Sequence, residues 1–312
     1  MLKVVITGAA GFLGSHLVER FIRAGYDVIG IDNLITGSSQ NVAHIESSNF
    51  KFLEHNVIES IPVEEKVDGI LHFASPASPI DFDKIPLEIM DVNSVGTRNC
   101  LEFARKRGIR FFMASTSEVY GDPLVHPQNE EYFGNVNPRG IRSVYDESKR
   151  FSEAMIYAYK RFYDVDVRVV RIFNTYGPRM RPDDGRVIPT FIRQAIQEKP
   201  ITVFGDGKQT RSFCYVDDLI EGIFRLYHSD YSNPVNIGNP IEYTILELVQ
   251  ELEEVFGKSL QLDFKPLPQN DPLRRKPDIT KAGDLLKWKP EIPLKEGLRK
   301  VVKWFKKTEV EY

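Results

Sequence analysis

The amino-terminal stretch MLKVVITGAAGFLG constrains the fold more than any other part of the sequence. Its β-branched, apolar residues 2–6 predict a strand that is buried on both faces. The residues after Gly14 have the apolar spacing of a helix. Gly8, Gly11 and Gly14 stand at G-x-x-G-x-x-G spacing. Such glycines allow a tight turn, a close approach of the backbone to a pyrophosphate, and close packing of the helix on the strand.

This turn predicts a dinucleotide site. The helix N-terminus offers free N–H groups and the positive end of its dipole to phosphates. A second predicted strand, residues 27–31, is followed by Asp32, at the place where an acid binds the adenosine ribose hydroxyls. Because a carboxylate there repels a 2′-phosphate, the pattern favours NAD over NADP. A tight turn that binds nothing is the structural alternative, and Asp32 argues against it.

Composition is that of an ordinary soluble globular protein. The 312 residues are 42% hydrophobic and 27% charged, with a formal net charge of −3. No basic field indicates a nucleic acid or an anionic membrane as a partner. No apolar stretch approaches the ~20 residues that span a bilayer. The first predicted strand begins at Leu2, so we expect no signal peptide and a cytoplasmic protein.

The cysteines and histidines show no metal-binding pattern. Cys100 and Cys214 are far apart in apolar surroundings, which predicts two buried free thiols in a reducing compartment. The six histidines are scattered through the chain. We therefore predict no metal site.

Strands and helices alternate through the first half of the chain. Further strands are predicted for residues 50–53, 69–73, 111–114 and 167–172, and helices for 87–106 and 143–163. Such alternation predicts the α/β class, a Rossmann-type doubly wound parallel sheet with helices on both faces. Ligands then lie at the carboxyl ends of the strands.

The second half has a different texture, with many prolines and glycines. Helices are predicted for residues 187–197, 216–227, 245–256 and 294–307, and a proline-rich stretch spans 265–278. We interpret residues 1–176 as the NAD-binding domain, with a returning segment near 210–240. Residues 177–312 are then mostly a smaller α/β lobe for the substrate.

Tyr145 and Lys149 stand at i and i+4, on one face of a predicted helix. A free tyrosine has a pKa near ~10 and is a poor base at neutral pH. A nearby ammonium, together with a positive nicotinamide ring, favours the phenolate and lowers that pKa. Tyr145 could then take a hydroxyl proton while NAD takes the hydride. A packing tyrosine beside a solvated lysine is the alternative, and the glycine-rich turn upstream argues against it.

A polar cluster, residues 115–118, follows the strand predicted for 111–114. Three hydroxyl groups and one carboxylate at the carboxyl end of a strand can bind a reacting oxygen and move a proton. The alternative is a polar cap on the end of the strand. We therefore interpret the cluster as catalytic only because the sequence also contains Tyr145 and the glycine-rich turn.

The stretches TGAAGFLG, STSEVYGD and YDESK together resemble the extended short-chain dehydrogenase/reductase family of nucleotide-sugar enzymes. Within that family the pattern is similar to that of the UDP-glucuronate decarboxylases, or UDP-xylose synthases. The stretches that match are HFASPASP at 72–79, STSEVYGDPLVHP at 115–127, RIFNTYGPRM at 171–180, DGRVIPTF at 184–191 and RRKPDI at 274–279.

The resemblance implies roles for the motif residues. Tyr145 is the base for the sugar C4 hydroxyl, Lys149 binds the nicotinamide ribose, and Thr116 hydrogen-bonds the reacting oxygen. Ser117 and Glu118 lie near C5 and C6 of the sugar. Arg275 would face the sugar carboxylate, which a guanidinium fork matches well. A solvated basic loop is the alternative for Arg275.

The resemblance also implies two binding sets. The substrate set is Pro79, Ser117, Glu118, Tyr145, Asn174, Arg186, Val187, Val203, Gln209, Arg211, Tyr215 and Arg275. The NAD set is Gly8, Gly11, Phe12, Leu13, Gly14, Asp32, Asn33, Thr36, Gly37, Asn56, Val57, Phe73, Ser75, Ala114, Tyr145, Lys149 and Thr175. The implied reaction is decarboxylation of UDP-glucuronate to UDP-xylose by C4 oxidation, loss of carbon dioxide and re-reduction, with tightly bound, recycled NAD. A homodimer through a four-helix bundle, built from helices 87–106 and 143–163, is implied as well.

The chain departs from the family pattern at two places. Asn56-Val57 stands where Asp-Val usually binds the adenine amino group, so we expect a different contact there. Asp91 and Val92 replace the more usual basic and hydroxyl residues.

Three alternative functions are compatible with such a fold. A 4,6-dehydratase carries Asp where this chain has Ser117, and a 4-epimerase usually lacks Glu118 and the RRKPD stretch. A catalytically dead NAD-sensing module would be expected to lose Tyr145 or Lys149. These features favour decarboxylation.

Overall fold

A parallel sheet of seven strands is the centre of the fold: from one edge to the other, the strands begin at residues 235, 167, 110, 69, 3, 27 and 50. The computed structural model describes residues 1–266 and 275–309. The strands are β1 (Lys3–Thr7), β2 (Asp27–Asp32), β3 (Phe50–Glu54), β4 (Gly69–His72), β5 (Arg110–Thr116), β6 (Val167–Ile172), β7 (Thr175–Tyr176), β8 (Ile201–Phe204), β9 (Thr210–Ser212), β10 (Cys214–Tyr215), β11 (Val235–Ile237), β12 (Glu242–Thr244) and β13 (Leu262–Lys265).

Helices cover both faces of this sheet. They are α1 (Phe12–Arg23), α2 (Gln40–Ala43), α3 (Pro86–Asp91), α4 (Thr97–Arg107), α5 (Ser143–Tyr163), α6 (Val187–Ile196), α7 (Val216–His228), α8 (Ile245–Phe256), α9 (Thr280–Leu286) and α10 (Leu294–Glu309). Short 3-10 helices span Pro79–Asp81 and Ser117–Tyr120. The predicted α/β, Rossmann-type class is confirmed.

The period-2 alternation of β1 explains why both faces are covered. Val4 and Ile6 pack into one core with α1 and α7, whereas Val5 packs into a second core with α4 and α5. All three side chains are fully buried. The middle of β1 is therefore apolar at three successive positions, as is typical of strands in parallel sheets.

The prediction of one continuous helix over residues 87–106 is wrong. The structure has α3, a π-helical turn over Val92–Gly96, and then α4. At the turn, Asn93 donates from Nδ2 to Ile89 O (2.9 Å) and to Ser148 Oγ (3.1 Å). Ser152 Oγ donates to Asn93 O at 2.5 Å. These bonds to α5 replace the regular helical spacing with a wider turn, a tertiary effect that periodicity does not reveal.

The second half of the chain contributes short strands that sequence reasoning did not locate. Strands β8 and β13 are paired in parallel, and β9 and β12 are antiparallel. β11 returns to the main sheet and pairs with β6 in parallel. Strands of two to four residues carry too little alternation to be recognised. Most of the proline-rich stretch, including Arg274, lies outside the described residues.

The glycine-rich turn connects β1 to α1 with very close backbone contacts. Gly8 has φ +71, and a Cβ there would lie 2.6 Å from the carbonyl carbon of Phe73. A Cβ on Gly14 would lie 1.9 Å from Gly8 O. Only glycine fits these two positions, and the tight turn presents the first N–H groups of α1, which have no side-chain cap within the described part of the chain, as a cradle above the sheet.

Three further features bear on the sequence predictions. Cys100 and Cys214 are free and buried. Among residues 1–266 and 275–309, no helix is both long enough and apolar enough to cross a bilayer. Within the same ranges, no three His, Cys, Asp or Glu side chains converge as metal ligands do.

We predict that Gly14→Ala lowers the free energy of unfolding by about 2 kcal/mol or more, because the new methyl group forces α1 away from β1. Chemical denaturation of the purified protein measures this. Gly283→Ala, also within a helix, is the control, since its Cβ would come no closer than 3.9 Å to a neighbour. Its stability should be unchanged or slightly higher, and equal losses in both variants would contradict the packing argument.

Candidate active site

A cavity of about 840 Å³ opens at the carboxyl ends of the strands, under the C-terminal lobe. A smaller cavity of about 100 Å³ lies beside it and shares Gly8, Gly11 and Phe73 in its wall. Together they form one continuous groove, with the glycine-rich turn at the junction. This is the edge of a doubly wound sheet at which ligands bind.

The predicted NAD residues line this groove. The large cavity is bordered by Gly8, Gly11, Phe12, Leu13, Gly14, Thr36, Phe73, Ser75, Ala114, Tyr145, Lys149 and Thr175. The small cavity is bordered by Asp32, Asn33, Gly37, Asn56 and Val57. The structure therefore brings the whole predicted cofactor set to one groove.

Asp32 stands at the end of β2, in the wall of the small cavity. Its carboxylate accepts hydrogen bonds from the N–H groups of Ala10 (2.9 Å) and Leu34 (2.8 Å). Burial raises the pKa of Asp32. Each carboxylate oxygen can accept a further bond, so the acid is fixed in place and still able to bind two ribose hydroxyls. The cradle above Gly8 and this acid fit the phosphate and ribose groups of NAD.

Tyr145 and Lys149 both face the large cavity from the first turns of α5. Lys149 donates from Nζ to Ala114 O at 2.9 Å, and its Nζ lies 5.8 Å from the centre of the Tyr145 ring. The Tyr145 ring stacks on Phe82 at 5.4 Å between ring centres. The i, i+4 spacing thus places the pair on one face, as predicted.

The electrostatics of this pair differ from the simple expectation. Burial raises the pKa of Tyr145, and a hydrogen bond with Thr116 offsets part of that rise. Burial also lowers the pKa of Lys149 to about 7. The ammonium is directed at Ala114 O and is only partly charged near neutral pH. The predicted lowering of the tyrosine pKa by Lys149 is therefore not present in the protein without a ligand.

Thr116, Ser117 and Glu118 follow directly at the end of β5. The Thr116 hydroxyl accepts a hydrogen bond from Glu118 N at 3.2 Å and so caps the 3-10 helix Ser117–Tyr120. This cap turns the chain sharply and presents all three side chains at the cavity wall. The predicted cluster thus lies beside Tyr145.

Glu118 is held between two guanidinium groups. Arg142 donates from Nη2 to Glu118 Oε2, and Arg275 donates from Nη1 to Glu118 Oε1. Despite burial, these two charges lower the pKa of Glu118 to about 2. The carboxylate is therefore ionised at every physiological pH. Both guanidinium groups also line the cavity wall.

Arg275 has donor capacity that the described residues do not use. Its side chain is 6% exposed, and its Nη2 donates to Gly121 O at 3.1 Å. Its Nε is buried and has no hydrogen-bond partner within residues 1–266 and 275–309. A buried guanidinium with a vacant donor suits an anionic ligand, because an unpaired buried donor is costly. Sequence reasoning placed Arg275 here only through the resemblance.

Asp146 is a second buried carboxyl group near this cluster. Its Oδ2 lies 4.0 Å from Arg142 Nε. Burial and the negative charge of Glu118 raise the pKa of Asp146 to about 7. Arg142 therefore lies between two carboxyl groups whose pKa values differ greatly. It donates a hydrogen bond to Glu118, the more acidic of the two.

Six of the other predicted substrate residues line the large cavity, and two do not. Pro79, Asn174, Arg186, Val187, Gln209 and Arg211 line the large cavity. Arg186 forms a bidentate pair with Asp184, with bonds of 2.8 and 2.6 Å. Gln209 donates to Phe204 O at 2.7 Å. Val203 and Tyr215 line neither cavity, because both side chains are buried in the core.

Several cavity residues were not found by sequence reasoning. They include Asp81, Phe82, Arg142, Arg179, Arg181, Arg193 and Phe204. Arg142 had one detectable signal: it lies three residues before Tyr145, at the N-cap of α5, and therefore on the same side of that helix. Arg181 pairs with Asp81 from a loop, and no spacing in the sequence indicates that contact.

We predict that Glu118→Gln lowers the free energy of unfolding by about 3 kcal/mol at neutral pH, because two buried guanidinium groups lose their counter-charge. The folded pKa of Glu118, about 2, lies below its usual 4.5. Its contribution is thus complete above the higher value and is lost as the pH falls toward the lower one. Denaturation curves at neutral and acidic pH measure the difference from wild type, which should shrink in acid.

Glu147→Gln is the matched control for that experiment. Glu147 forms a half-exposed pair with Arg150 at 3.4 Å, and such pairs contribute about 0.5 kcal/mol or less. A loss in this variant as large as in Glu118→Gln would contradict the assigned role of the buried cluster.

Comparison with known proteins agrees with this geometry. Residues 4–238 match the NAD dependent epimerase/dehydratase family. The chain is 50% identical over 307 residues to UDP-glucuronic acid decarboxylase 4 of Arabidopsis thaliana, across 98% of this chain and 69% of that protein. It is 49% identical over 304 residues to UDP-glucuronic acid decarboxylase 1 of Danio rerio, across 97% and 72%.

A solved structure is similar over the whole fold. It is the crystal structure of UDP-glucuronic acid 4-epimerase from Bacillus cereus in complex with UDP-glucuronic acid and NAD. The TM-score is 0.89 at 29% identity, over 98% of this chain and 100% of that one. These matches confirm the family resemblance and NAD as the cofactor. The chain belongs to the NAD dependent epimerase/dehydratase family, on the branch that contains the UDP-glucuronic acid decarboxylases.

Proposed function

We propose that this chain decarboxylates UDP-glucuronate to UDP-xylose with NAD that is recycled in each turnover. The observation that carries the proposal is the buried Arg275 guanidinium: it lines the same cavity as Tyr145, and its Nε has no hydrogen-bond partner within residues 1–266 and 275–309. Such a group matches the sugar carboxylate that distinguishes UDP-glucuronate from a neutral UDP-sugar. The curated relatives of known activity support the same reading.

The chain's own residues would hold the cofactor along the groove. The first N–H groups of α1, after the glycine-rich turn, would bind the pyrophosphate, and Asp32 would accept from the adenosine ribose hydroxyls. Lys149 would bind the nicotinamide ribose. When bound, NAD supplies a hydride acceptor and donor for sugar C4 and a positive ring that favours the Tyr145 phenolate.

Tyr145 and Thr116 act on the C4 oxygen. Tyr145 takes the hydroxyl proton as C4 is oxidised, and Thr116 donates a hydrogen bond to the same oxygen. The product is a 4-keto sugar whose carboxylate is β to the ketone. Its C5–C6 bond breaks with release of carbon dioxide, because the electron pair passes into an enolate that Tyr145 and Thr116 stabilise at the C4 oxygen.

Arg275 and Glu118 act near C5 and the C6 carboxylate, next to the reacting C4. Arg275 binds the carboxylate and orients it for departure. Glu118 stays ionised because of its low pKa, so it fixes the two guanidinium groups and is no proton donor. Ser117 lies near C5 and C6. Three transfers then complete UDP-xylose: a proton from solvent to C5, the hydride back to C4, for which bound NAD would be the donor, and the Tyr145 proton back to the C4 oxygen.

We propose a division of labour between the two halves of the chain. Residues 1–176, with the returning segment near 210–240, hold NAD, and residues 177–312 mostly hold UDP. Asn174, Arg186, Val187, Gln209 and Arg211 line the nucleotide wall of the cavity. The ion pair with Asp184 already holds the Arg186 side chain in place. A diphosphate would therefore bind to an arginine that needs no rearrangement.

A 4-epimerase is the second candidate, because the similar solved structure from Bacillus cereus is an epimerase bound to UDP-glucuronic acid. The two reactions share the C4 oxidation and differ in the fate of the carboxylate. A decarboxylase aligns the C5–C6 bond for cleavage, whereas an epimerase must prevent that cleavage and re-present the other face of the keto sugar. The products therefore separate the two functions.

We predict that the purified protein releases carbon dioxide from UDP-glucuronate and forms UDP-xylose without added reductant. Carbon dioxide capture and chromatography of the nucleotide sugars measure both products. UDP-glucose should give no product, since it has no carboxylate. Formation of the 4-epimer of UDP-glucuronate without carbon dioxide would overturn the proposal.

The control for that assay is Tyr145→Phe. This variant should retain NAD and lose turnover, because the ring still packs on Phe82 and only the proton acceptor is removed. Full activity in Tyr145→Phe would contradict the assigned base.

We predict that Arg275→Ala raises the KM for UDP-glucuronate about 100-fold, while the Kd of UDP changes less than about threefold, since a charge-assisted bidentate contact contributes roughly 3 kcal/mol. Steady-state kinetics and calorimetric titration measure the two effects. Arg161→Ala, which changes an exposed arginine near the far end of α5, is the control and should leave both values near wild type. Equal losses for UDP and UDP-glucuronate would contradict the carboxylate contact.

We propose a homodimer through the helices α3 to α5. An apolar stripe lies exposed on this side: Leu87 (69% exposed), Met90, Phe151 and Phe162. The last two lie on the outward face of α5, opposite Tyr145. Exposed apolar side chains that cluster on neighbouring helices are typical of a protein–protein interface.

Light scattering after size exclusion tests the dimer. We expect a mass of twice the 35.8 kDa chain, and Phe151→Glu should shift it to the monomer by placing a charge in the interface. Phe264→Glu is the control, because Phe264 is equally exposed (54% against 53%) and lies on β13. A monomeric wild type would overturn the proposal.

We propose a cytoplasmic location, on the basis of the two free, buried thiols. Cysteines persist as thiols in a reducing compartment. Cell fractionation with an antibody to the chain tests this.

A further inference from the structure

We propose that Gln128 is a positioning residue for Arg275: it fixes the backbone that carries this arginine, and so the affinity for the substrate carboxylate. The proposal rests on the function proposed above. Gln128 is fully buried and does not line either cavity. It acts through Arg275 and has no contact with the nucleotide wall.

Gln128 pairs with the segment that follows Arg275 through three hydrogen bonds. Its backbone N–H donates to Lys276 O at 2.9 Å, and its carbonyl accepts from Asp278 N at 2.8 Å. Its side-chain Oε1 accepts from Lys276 N at 2.9 Å. The Lys276 N–H belongs to the peptide unit that begins at the carbonyl carbon of Arg275. The Gln128 side chain therefore fixes the plane from which the Arg275 side chain extends.

Arg275 has few other backbone anchors among the described residues. Ser212 Oγ donates to Arg275 O at 3.3 Å, which is a long bond. The remaining contacts, to Glu118 and to Gly121 O, are made by the guanidinium itself. These are the groups that must readjust when a substrate carboxylate arrives. The support from Gln128 is independent of the ligand and keeps the arginine in reach.

Gln128 is itself held rigidly. Its Nε2 donates to Val125 O at 2.7 Å. Asn236, on the edge strand β11, donates from Nδ2 to both Gln128 O (3.0 Å) and Asp278 O (3.2 Å). Tyr120 OH donates to Asn236 Oδ1 at 2.8 Å. The pairing of Gln128 with the Arg275 segment is thus built on the main sheet, and a rigid support of this kind is what positions a binding group accurately.

A purely structural role is the competing explanation. Loss of a buried glutamine would then weaken every ligand equally and lower stability. A positioning role predicts a selective loss, confined to ligands that carry the carboxylate. The two explanations are separated by comparing UDP-glucuronate with UDP, which occupies the nucleotide wall alone.

The experiment uses full-length holoprotein with Tyr145→Phe, so that UDP-glucuronate binds without turnover. Calorimetry gives the Kd of UDP-glucuronate and of UDP, with and without Gln128→Met, which has a similar volume and neither polar group. We expect the Kd of UDP-glucuronate to rise about tenfold and that of UDP to stay within about twofold. An equal rise for both ligands, or no rise for either, overturns the proposal.

A double-mutant cycle sharpens the test. Added to Arg275→Ala, Gln128→Met should cause no further loss of UDP-glucuronate affinity, because the group it positions is already absent. Additive losses overturn the proposal. If Gln128→Met does not fold, Gln128→Asn takes its place in both measurements. Its amide is one methylene too short to reach Lys276, so the same selective loss is expected.

Asn129→Ala is the matched control from the same loop. Within residues 1–266 and 275–309, the Asn129 side chain has one hydrogen bond, which Oδ1 accepts from the nearby Glu131 N at 3.1 Å, so both Kd values should equal those of the parent protein. A selective loss in this control overturns the assignment to Gln128. Carbon dioxide release by the wild type decides the proposed function separately, since the ratio of the two Kd values does not depend on turnover.

Discussion

The ion cluster of Glu118, Arg142 and Arg275 is the interaction on which the site depends. It joins the end of β5, the start of α5 and the segment before α9, three parts of the chain with no shared local structure. A buried carboxylate with one counter-charge is often no more stable than an apolar pair. With two counter-charges Glu118 stays ionised, and the guanidinium of Arg275 lines the cavity wall. The same cluster therefore joins three segments of the chain and places a guanidinium at the proposed carboxylate site.

The sequence predicted the parts of the fold that carry local periodicity. The bounds of α5, β6 and α8 agree with the structure to the residue, because each has a long or strongly apolar pattern. The π-turn at Val92–Gly96 could not be predicted, since it arises from hydrogen bonds of Asn93 to α5. The two- to four-residue strands of the C-terminal half were not predicted, because such short segments show too little alternation of apolar and polar residues.

The residues of the candidate site differ in the same way: some are set by local spacing and others by long-range contacts. Tyr145 and Lys149 are visible in the sequence because one helix sets their spacing, and Asp32 because one βαβ unit sets its distance from the glycines. Glu118 and Arg275 are 157 residues apart, so only tertiary structure or a family resemblance can bring them together. Arg142 and Gln128 act through such long-range contacts and stayed unnoticed. The electrostatics also needed the structure, since burial reverses the expected pKa direction of Tyr145.

Helix α5 is one rigid rod with two faces of different use. Tyr145 and Lys149 point from it into the cavity, while Phe151 and Phe162 point outward. A helix of 21 residues transmits a rotation about its axis along its whole length, because its backbone hydrogen bonds resist twisting. In the proposed dimer, the partner would therefore pack on the same rigid helix that carries the phenol, on a different face of it.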